Sequence, residues 1–400
     1  MRPSSPWTYG LPRSTRHWLT GVACGVLAWG GIGVIFSSPA QALGPFPTFP
    51  TFPTTVGHTY VVNTTADGTG TGGCSSTPEG MCSFRQAVDS YDQDKGVGFS
   101  PYLLLVTDQD QITFSRPCVI QEQLCEPPFV YNILTDGNVI FDNPYGVSVT
   151  VTGNGQAVTI IQGGEACSSE CFADLQIDGG YGVGAVTLSD LTMEDGFSPQ
   201  CGGGILNDGG TVTVNDTTIY DNQTLPGLSQ NGGGICNLNG TFNLNDSNVL
   251  GNVAYENGGG IYNSGGVLQI TGSLISDNQA VGLDGAGIYN AAVGGTSAWL
   301  VGGTSVIDNL AGTDGGGIYN GNFLEVLQSE VGGNTAFQGG GVFNACGAFY
   351  PGGGVGVTGN TPDNVYQQQC SSFPLPPGLV LPFPTGSGLP PGIGSIDPVP

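Results

Sequence analysis

What the chain lacks most is positive charge. Its 400 residues carry six Lys+Arg and two His against 31 Asp+Glu. Arg2, Arg13, Arg16 and His17 fall in the first 42 residues, a stretch without a single acid. Beyond it, only Arg85, Lys95 and Arg116 stand against the 31 acids, a net of −28, and residues 117–400 hold no Lys, Arg or His. That absence excludes whole classes of function. Nucleic-acid binding needs Lys and Arg to displace counterions from phosphates. A phosphate-cradling Walker loop needs its Lys. Ser-His-Asp and Cys-His catalysis need an imidazole beside the nucleophile, and His58 is the sole His after the first 42 residues. Zinc or haem sites built on His fail for the same reason. The absence also makes a first prediction. Trypsin is expected to cut the exported chain only after Arg85 and Lys95, because Arg116 is followed by Pro117 and an Arg–Pro bond resists the protease, leaving 96–400 as one fragment on a denaturing gel even after unfolding; smaller limit fragments would refute it.

The few bases at the start have their own pattern. Arg13, Arg16 and His17 precede an apolar run from Trp18 to Phe36, followed by Ser38-Pro39-Ala40-Gln41-Ala42. A basic region, an apolar stretch and a small-x-small end read as a secretory signal over 1–42. Export then leaves ten of the 11 cysteines, Cys24 being removed with the signal. An even count behind a signal implies disulfides in an oxidising compartment. Short spacings suggest Cys74–Cys82, Cys118–Cys125, Cys167–Cys171 and Cys346–Cys370, with Cys201 and Cys236 left to pair between neighbouring repeats. Connectivity is not fixed by sequence. A Pro-rich linker covers 43–56, and a second Pro-rich stretch covers 371–400; both are expected to be extended or disordered. No apolar stretch after the signal is long enough to span a bilayer. The oligomeric state is not readable.

Between these ends the chain repeats. Gly-Gly-Gly-Ile-x-Asn or a near variant occurs six times, its apolar residue at Ile205, Ile235, Ile261, Ile288, Ile318 and Val342. An Asn closes each unit at Asn222, Asn252, Asn278, Asn309, Asn334 and Asn360. Inside a unit the apolar period is two, as in Val212/Val214, Phe242/Leu244 and Leu268/Ile270, which is a strand period and not a helix period. Ile219, Val249, Ile275, Val306 and Val331 mark a further short strand. Three strands per repeat of this length, stacked on their equivalents, make a parallel β-helix. Asn207, Asn237, Asn263, Asn290, Asn320 and Asn344 would stack as a structural amide ladder. Charge is scarce because like charges in register would repel at roughly 5 Å. The expected architecture is all-β: a solenoid of about 8–10 turns over 112–370, most regular over 201–364. Region 57–111 would cap its N-terminal end, with Ser83-Phe84-Arg85-Gln86-Ala87-Val88 as a helix nucleus and Ser83 as its N-cap.

Several of these stretches resemble a known family. Val61-Val62-Asn63-Thr64-Thr65-Ala66-Asp67-Gly68, then Cys82-Ser83-Phe84-Arg85-Gln86-Ala87-Val88, then Ile112-Thr113-Phe114 is similar to the opening of bacterial secreted proteins with a Cys-Ser-Leu-Arg-Glu-Ala motif. Val149-Thr150-Val151-Thr152-Gly153-Asn154-Gly155 and Leu188-Ser189-Asp190-Leu191-Thr192-Met193-Glu194-Asp195-Gly196 fit the same pattern. The Gly-Gly-Gly-Ile-Tyr-Asn units resemble the polymorphic outer-membrane protein repeat. The resemblance implies a right-handed, pectin-lyase-like parallel β-helix that is secreted or displayed on a bacterial surface or outer membrane. Two departures count: Gln86 stands where the motif has an acid, and the Pro-rich stretch stands where those membrane proteins place a β-barrel.

The fold does not fix the chemistry. A uronate lyase needs a basic proton acceptor and cations for its substrate, and the repeats supply neither. A glycoside hydrolase needs only two carboxylates, for which Asp221, Asp277 and Asp308, each just before a closing Asn, are the candidates; Asp also suits such turns on its own account, and that reading is preferred. Asp284 and Asp314 sit in Asp-Gly sequences whose carboxylates and turn carbonyls are a calcium-type donor set, yet no calcium-loop motif is present, and ordinary Asp-Gly turns are the preferred reading. No cofactor or metal site is expected. Tyr262, Tyr289, Tyr319 and Phe343 follow the inward Ile in each motif and form a row of aromatics that would face a ligand. The expectation is a surface interaction module, adhesin-like, with glycans or surface proteins as partners and no assigned catalytic residue, the alternative being a polysaccharide hydrolase.

Overall fold

The structure, a computed structural model, describes residues 59–63, 74, 82–93, 109–114, 129–132, 139–141, 148–163, 174–179, 185–199, 201–226 and 230–369. All belong to the unit Thr54–Pro400. The expected signal segment, the linker, most of the Pro-rich stretch and Cys118, Cys125, Cys167, Cys171 and Cys370 lie outside the described residues.

Each repeat wraps once around a shared interior. In the unit that begins at Ile205, face 1 is Ile205–Asp208, face 2 is Thr211–Asn215, face 3 is Thr218–Tyr220 and face 4 is the two-residue Gln223–Thr224. Stacking repeats builds four parallel sheets, of nine, ten, nine and five strands on faces 1 to 4. The result is an all-β parallel β-solenoid with about six regular turns and less regular strands before them. Three strands per repeat are legible in the sequence; face 4 is not, because two residues are too short to show a period.

Register follows the sequence repeat. Ile205, Ile235, Ile261, Ile288, Ile318 and Val342 pair in one column. Val212, Phe242, Leu268, Ala298 and Leu324 form a second column on face 2, and Ile219, Val249, Ile275, Val306 and Val331 a third on face 3. All these side chains are fully buried. Each Ile, Val, Leu or Phe contributes roughly 1.5–3 kcal/mol of transfer free energy and Ala298 less, and a one-residue slip would turn a whole column to water.

Two corners of the cross-section are lined with amides. Asn207 Nδ2 donates to Asn237 Oδ1 at 2.7 Å, and the same bond repeats from Asn237 to Asn263 at 2.8 Å, Asn263 to Asn290 at 3.0 Å, Asn290 to Asn320 at 2.9 Å and Asn320 to Asn344 at 2.7 Å. A second ladder runs through Asn222, Asn252, Asn278, Asn309, Asn334 and Asn360, at 2.9–3.0 Å per rung. The third glycine of each Gly-rich motif exists for this second ladder. A Cβ on Gly260 would lie 3.0 Å from the Asn278 amide, and on Gly234 2.9 Å from Asn252 Cγ. The Gly-rich motif and the closing Asn are therefore two halves of one corner.

At the N-terminal side, helix α1 (Phe84–Gln93) packs against strands Thr59–Val62 and Val139–Phe141. Its start is a reciprocal capping box: Gln86 N donates to Ser83 Oγ at 3.1 Å, and Ser83 N donates to Gln86 Oε1 at 3.0 Å. Gln serves this box as well as Glu does, so the loss of the motif's acid leaves the cap intact. Phe84, Ala87 and Val88 are buried beneath it. Cys74 and Cys82 are bonded just before it.

Candidate functional site

With the interior filled by stacked side chains, any ligand must meet the outside. The expected aromatic row is there on face 1. Tyr262, Tyr289, Tyr319 and Phe343 pair in register and continue to Tyr366. Their rings stack face to face, with centroids 5.3, 4.6, 5.4 and 5.0 Å apart and planes within 12° of parallel. One end of the stack rests on the Cys201–Cys236 disulfide, which links adjacent turns. Each inner ring spends both faces on its neighbours, so the tyrosines offer a ligand edges and hydroxyls more than ring faces, and Phe343, expected to face a ligand, is buried at 4% exposure. Burial, then Tyr319, Tyr262 and Asp284, push the Tyr289 phenol above its ordinary range.

Beside this row runs a polar one. Asn257 Nδ2 donates to Asn231 Oδ1 at 2.9 Å, the Asp284 amide to Asn257 Oδ1 at 3.1 Å and the Asp314 amide to Asp284 Oδ1 at 2.9 Å. The Thr313 hydroxyl also donates to Asp284 Oδ1. Asp284 and Asp314 are thus rungs of a side-chain-to-backbone ladder. Burial, then the neighbouring Asp284, push the Asp314 carboxyl up to about 6. Among the described residues no three His, Cys, Asp or Glu side chains are placed to share a metal ion.

The hydrolase candidates occupy one corner position between faces 3 and 4. Asp221, Asp277 and Asp308 have φ of 53°, 58° and 57°, and Gly251 and Gly333 take φ of 63° and 68° at the same place in their turns. This is the left-handed conformation, which Gly and Asp tolerate best. Asp195 joins them one turn earlier with φ 58°. Burial, then the adjacent Asp195, raise the Asp221 carboxyl. Glu194 is raised too, by burial and then by Asp195 and Asp221.

One acid breaks the pattern. Asp174 stands in register with Gly204, the third glycine of the first motif, and Gly196 stands in register with Asn222 of the second ladder. The two residue types have changed places. The Asp174 carboxylate fills the space beside Gly196 that a ladder side chain would otherwise take. It is fully buried, and neither of its oxygens has a hydrogen-bond partner. Burial first, then Asp195 and Glu194, raise it well above the usual carboxylate range.

A second aromatic group, which the sequence did not mark, lies on face 2. Trp299 pairs with Gln269 on one side and Glu325 on the other, and Glu325 pairs in turn with Tyr350. Phe323, two residues before Glu325 on the same strand, bridges them: its ring centroid is 5.4 Å from both Trp299 and Tyr350. These rings are tilted by 48° and 37° instead of stacked. Trp299 and Phe323 are half-buried, and Tyr350 is 55% exposed.

What the fold and these rows define is a class: an all-β parallel β-solenoid with repeat-built rows of side chains on its outside. No family model and no curated protein matches the chain. Among solved structures, ORF18 of Geobacillus virus E2 is similar at 11% identity, with 69% of this chain and 50% of that chain covered and a TM-score of 0.31. The chain therefore spans about half the length of that protein. Among the described residues, no helix is long and apolar enough to cross a membrane.

Proposed function

We propose that this is a secreted or cell-surface bacterial interaction module, adhesin-like, whose solenoid presents aromatic and amide side chains to glycans. In family terms the proposed module is a right-handed, pectin-lyase-like solenoid with a Cys-Ser-Leu-Arg-Glu-Ala type start and polymorphic outer-membrane protein repeats. The observation that carries the proposal is the content of the outer rows. They hold aromatic rings, amides, hydroxyls and carboxylates, with no Lys, Arg or His anywhere after Arg116. Such groups recognise sugar hydroxyls and the apolar faces of sugar rings. The capping box and the Cys74–Cys82 bridge support the family reading, since both fall within the stretch that resembles the motif.

The test is to incubate the exported protein, residues 43–400, with a polysaccharide panel, following both retention and the release of reducing ends. Retention of at least one polysaccharide without reducing-end release is the expected result. Turnover that disappears in Asp277→Asn would replace the module by the hydrolase, and absence of any retained glycan would overturn the glycan reading.

A further inference from the structure

We infer that the tilted aromatic group on face 2, together with the polar groove at the corner beyond it, is the binding site, and that its ligand is an uncharged polysaccharide chain. The inference rests on the glycan reading above and adds the place and the ligand class.

Place comes from comparing the two aromatic groups. On face 1 the ring faces are closed against one another within 12° of parallel. On face 2 the tilts of 48° and 37° leave ring faces that no neighbouring ring covers, and a sugar ring packs on such a face through its C–H groups. Trp299, Glu325 and Tyr350 fall on three successive turns in one row, so Trp299 and Tyr350 lie roughly 10 Å apart along the stack. A carboxylate thus sits between two aromatic side chains, with the Gln269 amide in the same row on the turn before Trp299.

The surface does not stop at the rings. At the end of the same strands a groove of about 400 Å³ opens, lined by Ser305, Gln328, Ser329 and Glu330 with Gly303 and Gly354. From Trp299 to Gly303 is four residues along the chain, at most roughly 13 Å, the last two turning the corner. An aromatic platform that leads into a shallow polar groove suits a chain of several sugar units more than one small molecule. Two Glu, Glu325 and Glu330, face this path, and no base follows Arg116. Uronate and sulfated polymers would be repelled. A protein partner is the competing occupant, since an interface core can also be aromatic with a polar rim, and the emission titration separates the two.

Composition supplies a probe. The four Trp are Trp7, Trp18, Trp29 and Trp299, so Trp299 is the sole Trp of the exported protein. Its emission reports on the site alone. The experiment is affinity electrophoresis of the exported protein in gels containing a soluble glucan, a mannan, a galactan or polygalacturonate, paired with a Trp emission titration. Retardation in at least one uncharged polymer, with a saturable change in Trp299 emission, is expected. Trp299→Ala and Tyr350→Ala should each weaken retardation at least about tenfold, while Phe337→Ala, an exposed aromatic outside both groups, should bind as the parent does. If the parent is retarded and both face 2 variants are retarded equally, the site assignment is wrong and the glycan reading stands. Retardation by polygalacturonate alone overturns the ligand class. If no polymer retards the parent, or only a purified surface protein shifts Trp299 emission, both the site and the glycan reading fall.

Discussion

Asn278→Ala is expected to destabilise the solenoid by about 3–5 kcal/mol, one of the largest losses any single substitution here should produce. Asn278 is a central rung with no exposed surface. Its Oδ1 accepts from both Asn252 N and Asn252 Nδ2 at 3.0 Å. Its Nδ2 donates to Val249 O at 3.0 Å and to Asn309 Oδ1 at 2.9 Å. Truncation strands the Asn252 N–H and takes one partner each from Asn252 Nδ2, which keeps Ile219 O at 3.0 Å, from Asn309 Oδ1, which keeps Asn278 N at 2.9 Å, and from Val249 O, all in a place water cannot reach. Each stranded group costs about 1–3 kcal/mol. Asn360, the last Asn in register with the closing residues of the repeats, is partly exposed at 9%, and Asn360→Ala should cost only about 1–2 kcal/mol. Urea denaturation of both variants gives the comparison. Equal losses at the centre and the end would show that the ladder is a row of independent turns and not a shared structure. Gly260→Ala offers a cross-check, because its Cβ would lie 2.7 Å from the Gly287 carbonyl and 3.0 Å from the Asn278 amide. Combined with Asn278→Ala it should cost less than the sum of the two, since part of its clash is with the side chain already removed.

How far the sequence discloses this molecule depends on whether a feature repeats. The inward columns repeat every turn with a period of two, so Ile205 to Val342 and Val212 to Leu324 are visible as a fold before any coordinates. The stacking of Asn207 on Asn237 follows from the same repeat. The link between the third glycine and the closing Asn is harder to see, because Gly204 and Asn222 lie 18 residues apart and meet only when the turn closes. Trp299 gives no signal at all. Its register partners are Gln269 and Glu325, so no aromatic column appears in the sequence. Phe323 reaches it diagonally, across turns, and a column-by-column reading does not follow diagonals. The face 1 aromatics show the reverse case. Their repeat is plain, but that they close one another's faces is a matter of ring orientation, which spacing does not encode. Asp174 could have been noticed as the residue before an inward Leu where later turns have Gly, but only once Leu175 is known to pair with Ile205.

Asp174→Asn is expected to change how stability depends on pH. The wild-type carboxyl is raised in the folded state, by burial first and then by the nearby carboxylates of Asp195 and Glu194. A group raised on folding contributes its full stability below its unfolded value, near 3.9 for Asp, and loses it as pH climbs towards the folded value. Over that window the unfolded chain ionises while the folded chain holds its proton, so wild-type stability should fall by about 1.4 kcal/mol per pH unit from this residue alone. Between pH 4 and 7 the ceiling is about 4 kcal/mol. Asparagine has nothing to ionise, so its contribution is flat. The difference between variant and wild type should therefore grow in the variant's favour from pH 4 upwards. An amide in the same unpartnered space adds a constant cost, which shifts the two curves apart without changing their slopes. The slope is thus the diagnostic quantity, read from urea midpoints at pH 4, 5, 6 and 7. Other raised acids, Glu194, Asp221 and Asp314, are present in both proteins and cancel to first order. Parallel curves would mean that the Asp174 carboxylate finds a partner in solution and ionises with ease. Diverging curves would place a neutral acid at the rung where the Asn ladder would otherwise have continued, and would make the N-terminal end of the regular stack the part of the solenoid most sensitive to alkali.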